Sequence, residues 1–483
     1  MGNKGDYKGR YCTRPWKWVS LLDNGNIIPC CPPWTNSYNY GNLNKQSPEE
    51  IWNGDKAQKF RQSVLDGSYK YCNENSCPLM QNKEESLHTL EDLKREEHLV
   101  YEDVVNNRTI LDHGPLEVSC DYDRSCNYSC PSCRREVIYI KGKEREDALE
   151  LQRKYVEGFF KNADKLTVTA SGDAFASVVF RRLLQTIDVD DVPNLHNLLI
   201  LTNGSLFKKY YDTVKLKDKI PKISVSVSID AACKETYGIN RRGGDWDNLL
   251  DNLKYIGDLR KADKIFWFGT SFVVQQNNYK EIKNFLLLCE EYNVDNVSLQ
   301  IYEPDFIRDL RHDDYFDEWA SKAVQEKTHP EHDQLQGILT DPFLDPYITL
   351  RSNRRIDLDP GEVITELYMG PLMDVRNGKD ISQYDSNYKE YQQVLKDNKK
   401  ERKRVDDDAK RQTGLSLVQR GILKDIWFNE QTYFVKVDCV KTINSADVTR
   451  IPTGDIVRWD EDAKEWLKCS KNSYEYTKYQ EMV

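Results

Sequence analysis

The spacing of hydrophobic and polar residues changes period repeatedly along this chain. Between residues 116 and 301, short apolar or alternating runs trade places with longer amphipathic ones. Leu116-Glu117-Val118-Ser119 and residues 165–169, 197–201, 223–229, 264–274 and 296–301 read as strands. Residues 144–160, 178–186, 207–214, 246–259 and 279–291 place apolar side chains at helical intervals. Strands that alternate with helices predict parallel βα units, so the expected fold class is α/β.

The pattern differs on either side of that region. Residues 17–22 are strand-like, Asp23-Asn24-Gly25 is a turn, and a second short strand ends in Pro29-Cys30-Cys31, which predicts a hairpin. Residues 48–65 are helical, with Ser47 as the cap before Pro48. Towards the other end, residues 313–326 look helical and 396–412 form a charge run, read as a solvated helix or linker. Residues 432–437, 455–459 and 465–469 read as short strands, with Asp460-Glu461-Asp462-Ala463 as a hairpin loop. Three segments follow: 1–95, 96–305 and 306–483. The last is expected to be an α+β extension that covers the substrate or binds a partner.

Composition narrows the function classes. A chain of 483 residues is too long for one hydrophobic core. Hydrophobic residues make up 39% and the mean hydropathy is -0.74, and no run is long enough to cross a bilayer. The first residues carry no apolar signal core. A net charge of -10 argues against non-specific binding to a nucleic-acid backbone. The expectation is a cytoplasmic protein with neither membrane nor nucleic acid as partner.

The thirteen cysteines change the picture. Without a secretion signal they read as metal or redox ligands rather than a disulfide framework. Cys126, Cys130 and Cys133 are spaced C-x3-C-x2-C, just after the first strand of the βα region. Three thiolates so close together suit one face of an iron–sulfur cube and leave its fourth iron open. The hairpin brings Cys12 near Cys30, and Cys72 lies five residues before Cys77. Spacing alone also allows structural zinc at either set.

The Cys126–Cys133 loop and the six βα units that follow resemble the radical S-adenosylmethionine (radical SAM) enzymes. The resemblance implies a partial (β/α)6 barrel and a [4Fe–4S] cluster that binds S-adenosylmethionine. Gly25-x4-Cys30, Gly41-Asn42-Leu43 and Glu50-Ile51-Trp52-Asn53 resemble a SPASM or twitch module. That implies one auxiliary [4Fe–4S] cluster on Cys12, Cys30, Cys72 and Cys77, with Cys31 spare. Two departures stand out. The segment has fewer cysteines than a full SPASM domain, and it precedes the barrel where most relatives place it after.

By the same resemblance, Ser171, Gly172 and Asp173 would meet the amino group of the cofactor's methionine. Asn203, within Thr202-Asn203-Gly204, would lie beside the cofactor. Ser228 and Asp230 would hold its ribose or carboxylate, an arginine of Arg241-Arg242-Gly243-Gly244, Arg241 or its neighbour, would pair with the carboxylate, and Gln300 would line the adenine or substrate pocket. Cys233 is the thiol best placed to return a hydrogen atom, with a structural thiol as its plainer role. The implied activity is hydrogen abstraction from a C–H bond of a peptide or protein. The alternatives are a radical epimerase or dehydrogenase of a sugar or other small polar substrate, and a non-enzymatic iron–sulfur electron carrier or sensor. A low-potential donor of the flavodoxin or ferredoxin type is expected.

Overall fold

A computed structural model describes residues 7–302 apart from 36, 75, 82 and 170, then 315–341, residue 344, and the backbone of the later strands named below. The chain divides into two units, Met1–Tyr391 and Gln392–Val483.

The first unit is built on one sheet. Its strands are β1 (Trp18–Leu22), β2 (Asn26–Ile28), β3 (Gly41–Asn42), β4 (Glu117–Asp121), β5 (Lys165–Val168), β6 (Asn197–Thr202), β7 (Lys222–Ser228), β8 (Trp267–Val273), β9 (Asn296–Gln300) and β10 (Val363–Tyr368). Their order is β10-β9-β8-β7-β6-β5-β4-β1-β2-β3. Strands β4 to β9 are parallel and lie in sequence order. Right-handed crossovers between such strands put their helices on one face and curl the sheet into a partial barrel. The α/β expectation and the six-stranded parallel sheet hold.

The helices form where the spacing placed them. Val178–Thr186 starts at Ser177, whose hydroxyl accepts from the Phe180 amide, and it buries Val179, Phe180, Leu183 and Leu184. Trp246–Lys261 is capped by Asp245 in the same way. Gly142–Phe159 buries Leu151, Tyr155 and Phe159, and Phe285 of Ile282–Glu291 packs 4.7 Å from Phe272 of β8. The sheet face under these helices carries Val118, Leu166, Leu198, Val225, Phe268 and Leu299, all at or near full burial.

Residues 48–65 form two helices rather than one, Pro48–Trp52 and Asp55–Leu65. The break is held by a partner distant in sequence. The Asn53 side chain exchanges hydrogen bonds with the Leu111 backbone, donating to its carbonyl at 2.7 Å and accepting from its amide at 2.9 Å. A Cβ at Gly54 would fall 2.2 Å from the Glu50 carbonyl. Residues 207–214 likewise split into the helix Phe207–Tyr210 and a 3-10 turn, Tyr211–Thr213. Helices at Leu90–Glu96, His98–Val105 and Lys234–Asn240 were not anticipated. The helix expected at 313–326 is described as Tyr315–Lys322.

The hairpin is not set apart from the parallel sheet. β1 pairs antiparallel with β2 and parallel with β4, with Ser20 opposite Ser119 and Leu22 opposite Asp121. At the far edge β10 runs antiparallel to β9.

The second unit contains a four-stranded antiparallel sheet of β11 (Leu423–Phe428), β12 (Tyr433–Val437), β13 (Ile456–Asp460) and β14 (Glu465–Lys468). Three of these were expected, and β11 was not. The charge run at 396–412, Cys439 and Cys469 lie outside the described residues. No helix among the described residues is long and apolar enough to cross a membrane.

Candidate functional site

The loop after β4 leaves the C-terminal end of the parallel strands, where sites collect in such sheets. Its shape is fixed by a buried carboxylate. Asp123 accepts the Ser125 amide at 2.8 Å and the Ser125 hydroxyl at 2.7 Å, and its other oxygen accepts the Ser177 hydroxyl at 2.5 Å. The Cys126 amide donates to the Ile138 carbonyl, and the Cys133 and Arg134 amides both donate to the Cys130 carbonyl. Cys126 and Cys130 are buried, and Cys133 is partly exposed.

Each of the three thiols faces a nitrogen donor from a different direction. Asn203 Nδ2 lies 3.7 Å from Cys126 Sγ. Arg241 Nη1 lies 3.8 Å from Cys130 Sγ. Arg134 presents both Nε and Nη2 to Cys133 Sγ at 3.4 Å. Burial holds the Cys126 thiol up, at about 11, and also raises Cys130. A metal that binds there displaces those protons, and the donors then stabilise the thiolates.

The residues expected to hold a cofactor lie around this loop. Gly172 packs against it: a Cβ would fall 2.6 Å from the Asp123 carbonyl and 2.7 Å from the Ser125 carbonyl. Its small size therefore serves the approach of two loops. The Asp173 carboxylate is fully engaged by the chain. It accepts from the Phe175 and Ala176 amides, the Thr202 hydroxyl and the Asn203 amide, at 2.7 to 3.1 Å. An ammonium held at this triplet would meet its backbone carbonyls. Arg134 Nη2 reaches one of them, that of Ser171, at 2.8 Å.

Asp230 sits after β7 with φ +57, left-handed for a residue other than glycine. Its carbonyl accepts the Asn240 and Asn278 side-chain amides at 2.9 and 3.0 Å. Its carboxylate accepts the Val273 amide at 2.8 Å and pairs with Arg241 at 2.7 Å. Burial raises the Asp230 carboxyl, and Arg241 opposes that rise. Arg241 is thus occupied by Asp230 and Cys130. Ser228 accepts a hydrogen bond from Ser271 at 3.0 Å, and Gln300 donates to Ser298 at 3.4 Å. Cys233 precedes the helix Lys234–Asn240, and its thiol donates to the Thr236 hydroxyl and the Glu281 carboxylate at 3.4 and 3.5 Å. Burial raises that thiol, and its described partners belong to the helix and to Glu281 rather than to the Cys126 loop.

Sequence reading passed over Arg134, and left open whether Arg241 or Arg242 does the pairing. Arg242 holds the loop from outside through the Ser129 carbonyl and hydroxyl, both at 3.1 Å, and the Arg135 carbonyl at 3.0 Å. Its place in Arg241-Arg242-Gly243-Gly244 was the available signal. Gly244 lets that turn close on Tyr237, whose ring would lie 2.7 Å from an added Cβ. Tyr237 in turn meets Tyr128 of the loop, oxygen to oxygen at 3.1 Å.

The other cysteines meet in a second place. Cys12, Cys30, Cys72 and Cys77 line one small cavity, whose other walls are largely apolar. Arg14 enters it with Nη1 3.7 Å from Cys30 Sγ, and its guanidinium lies 4.9 Å from the Trp18 and Trp34 rings. Cys31 is outside that lining. A hydrogen bond with Cys30 holds its thiol down to about 7. An all-sulfur donor set in an apolar pocket suits an iron–sulfur group. Among the described residues no cluster of three His, Cys, Asp or Glu is arranged for a single metal ion. Lys17, five residues after Cys12, pairs with Glu117 at 3.0 Å, at the start of β4. The Cys126 loop leaves the other end of that strand, about 16 Å further along.

Residues 12–78 match the family model SPASM, an iron–sulfur cluster-binding domain. Among curated proteins none matches the chain. Similar solved structures include Streptococcus suis SuiB bound to S-adenosylmethionine, at 15% identity over 68% of each chain and TM-score 0.33. SuiB bound to the precursor peptide SuiA is similar at 16% identity, over 61% of this chain and 63% of that one, TM-score 0.31. TYW1 with a lysine–pyruvate adduct bound is similar at 15% identity, over 41% of this chain and 68% of that one, TM-score 0.28.

Proposed function

We propose that this chain, which carries a SPASM iron–sulfur cluster-binding segment at residues 12–78, is a radical SAM enzyme. The observation that supports this most directly is the Cys126 loop. It offers three thiols at the C-terminal end of a parallel sheet, each with its own nitrogen donor. Cys126, Cys130 and Cys133 would hold the cluster, which when bound would supply reductive cleavage of S-adenosylmethionine and hydrogen abstraction from a C–H bond.

The chain's own residues have definable tasks in this reading. Asn203, Arg241 and Arg134 balance the charge of the three thiolates. The carbonyls of the Ser171–Asp173 loop accept the methionine ammonium. Asp230, Asn240 and Asn278 hold the turn after β7 in its left-handed form so that Arg241 stays aimed at Cys130. Cys12, Cys30, Cys72 and Cys77 hold an auxiliary [4Fe–4S] cluster near the opposite end of β4. Cys233 remains a candidate hydrogen donor only if its bonds to Thr236 and Glu281 are broken.

Two substrate classes fit a barrel of this kind. One is a peptide or protein, the usual substrate of SPASM-bearing enzymes. The other is a sugar or other small polar molecule. A low-potential donor of the flavodoxin or ferredoxin type is proposed as the electron source.

The test is anaerobic reconstitution with iron and sulfide, followed by S-adenosylmethionine and dithionite. Formation of 5′-deoxyadenosine is expected, together with a change in the electron paramagnetic resonance of the reduced protein when S-adenosylmethionine binds. Reduced clusters that neither respond to S-adenosylmethionine nor cleave it would identify an electron carrier or sensor.

A further inference from the structure

The start of the Cys126 loop is covered and its later part reaches the surface. At Asp123 and Ser125 the loop packs against Gly172. Further on, Cys126, Tyr128 and Cys130 are buried, Asn127 and Ser129 are partly exposed, and Pro131 is exposed. Pro131 stands between two of the three cysteines. Successive Cα atoms are about 3.8 Å apart, so a surface that touches Pro131 comes within about 8 Å of the Cys130 and Cys133 backbone.

The segment after the loop crosses back over it as a strap. Cys126 and Ile138 form an antiparallel bridge, and the Ile140 amide donates to the Ser125 hydroxyl at 3.3 Å. Ile138 and Ile140 are partly exposed. The alternate residues, Val137 and Tyr139, turn outwards and are 44% and 46% exposed. An aliphatic and an aromatic side chain therefore face solvent on either side of a residue bridged to a cysteine.

Both ends of this strap carry positive charge. Arg242 is exposed and donates to the Arg135 carbonyl at one end, while its Nε reaches the Ser129 carbonyl and hydroxyl. These acceptors are uncharged, so the guanidinium keeps its full charge. Lys141 is exposed at the other end. Residues 134–141 include Arg134, Arg135 and Lys141 against the single carboxylate of Glu136. On a chain of net charge -10 this is a local exception.

We infer that Val137 and Tyr139, between Arg242 and Lys141, receive an acidic flavoprotein of the flavodoxin type that brings the edge of its reduced flavin to the Cys126 loop. The inference rests on the radical SAM reading and names the partner and its docking face. Electron tunnelling falls off exponentially with distance, so a donor has to dock close to the cysteines. The dimethylbenzene edge of a flavin is flat and apolar, which suits an aromatic and an aliphatic contact. Carboxylates around that edge suit the cationic rim, which steers the encounter against the chain's overall negative charge. Electron-transfer encounters use small interfaces, so a patch of this size is enough. In the transfer the flavin loses one electron and the cluster gains it, with no bond made or broken.

The test uses anaerobically reconstituted holoprotein and a purified flavodoxin of net negative charge. Binding is read by titration calorimetry without S-adenosylmethionine, so the readout does not depend on turnover. A complex that weakens with rising salt is expected. Tyr139→Ala should weaken it about tenfold. Lys141→Glu should weaken it roughly three- to tenfold at low salt, mainly by slowing association. Both variants should keep their iron. Dithionite is small and needs no docking face, so it should still drive 5′-deoxyadenosine formation at the wild-type rate, while reduced flavodoxin drives it more slowly. Should Tyr139→Ala lose iron, Val137→Asp takes its place with the same expectation. An acidic [4Fe–4S] ferredoxin, which offers no flavin edge, should bind at least about tenfold more weakly than the flavodoxin. No flavodoxin binding, binding unchanged in these variants, or ferredoxin bound as tightly would overturn the assignment. Absence of 5′-deoxyadenosine with dithionite would instead sink the radical SAM reading.

Discussion

Two nitrogens of Arg134 face one sulfur, with Nε and Nη2 each 3.4 Å from Cys133 Sγ, while Nη2 also donates to the Ser171 carbonyl at 2.8 Å. One guanidinium thus joins a thiol of the loop after β4 to the loop after β5. Removing it takes a cation and two donors from a thiolate, which favours the oxidised form of a cluster bound there. Arg134→Gln should lower the reduction potential of that cluster by roughly several tens of millivolts. Arg134→Lys should lower it less, because it keeps the charge and loses the fork. Spectroscopic redox titration reads both. An unchanged potential in Arg134→Gln would remove the residue from this role.

Gly172 should tolerate no side chain. Its missing Cβ would stand 2.6 Å from one backbone carbonyl and 2.7 Å from another, and backbone gives way less easily than a side-chain tip. Gly172→Ala is expected to cost about 1–3 kcal/mol and to displace the Cys126 loop. Reconstituted variant should lose iron from that loop and keep the auxiliary cluster. Iron analysis with Mössbauer spectroscopy separates the two.

Cys72→Ala should have the converse effect. The variant loses one of the four thiols that line the cavity beside Arg14. Iron content is then expected to fall by about half, while part of the 5′-deoxyadenosine formation survives at the distant loop. Loss of all iron would show that the two sites are not independent.

His113 provides a pH dependence away from the cysteines. Its Nε2 lies 3.0 Å from Asp103 and its Nδ1 2.8 Å from the Gly114 carbonyl. Burial alone would push the imidazole down, but these partners outweigh it and hold it above its ordinary 6.5. The charged form is the stabilising one. Its contribution is complete below the unfolded value and disappears as pH rises through the higher folded value. Thermal unfolding of the apoprotein should therefore show a falling Tm from about pH 6.5 upwards. His113→Gln should flatten that slope. A wild-type Tm that rises over the same range would contradict the assignment.

Much of the parallel sheet was legible because its signals are local. The helix at 178–186 was placed to the residue by its apolar spacing, and the Ser177 cap fixes its start. Residues 223–229 announced a strand, found as Lys222–Ser228. The grouping of Cys12 and Cys30 with Cys72 and Cys77 in one cavity followed from the hairpin and from the resemblance together. Other features depend on distant partners. The break at Asn53-Gly54 is made by Leu111, 58 residues away. Strand β10 exists because β9 offers an edge, and its own sequence alternates weakly. Arg134 and Arg242 look like ordinary surface cations until the loops fold around them.

The parallel pairing of β1 with β4 carries one more consequence. A partial barrel has two open edges, and here the N-terminal hairpin occupies the first while β10 occupies the second. Cutting the chain near residue 95 would bare the flank of β4, an unpaired ladder that invites another molecule to dock strand to strand. The barrel expressed alone should thus come out as aggregates or swapped oligomers, even though Cys126, Cys130 and Cys133 are still in place.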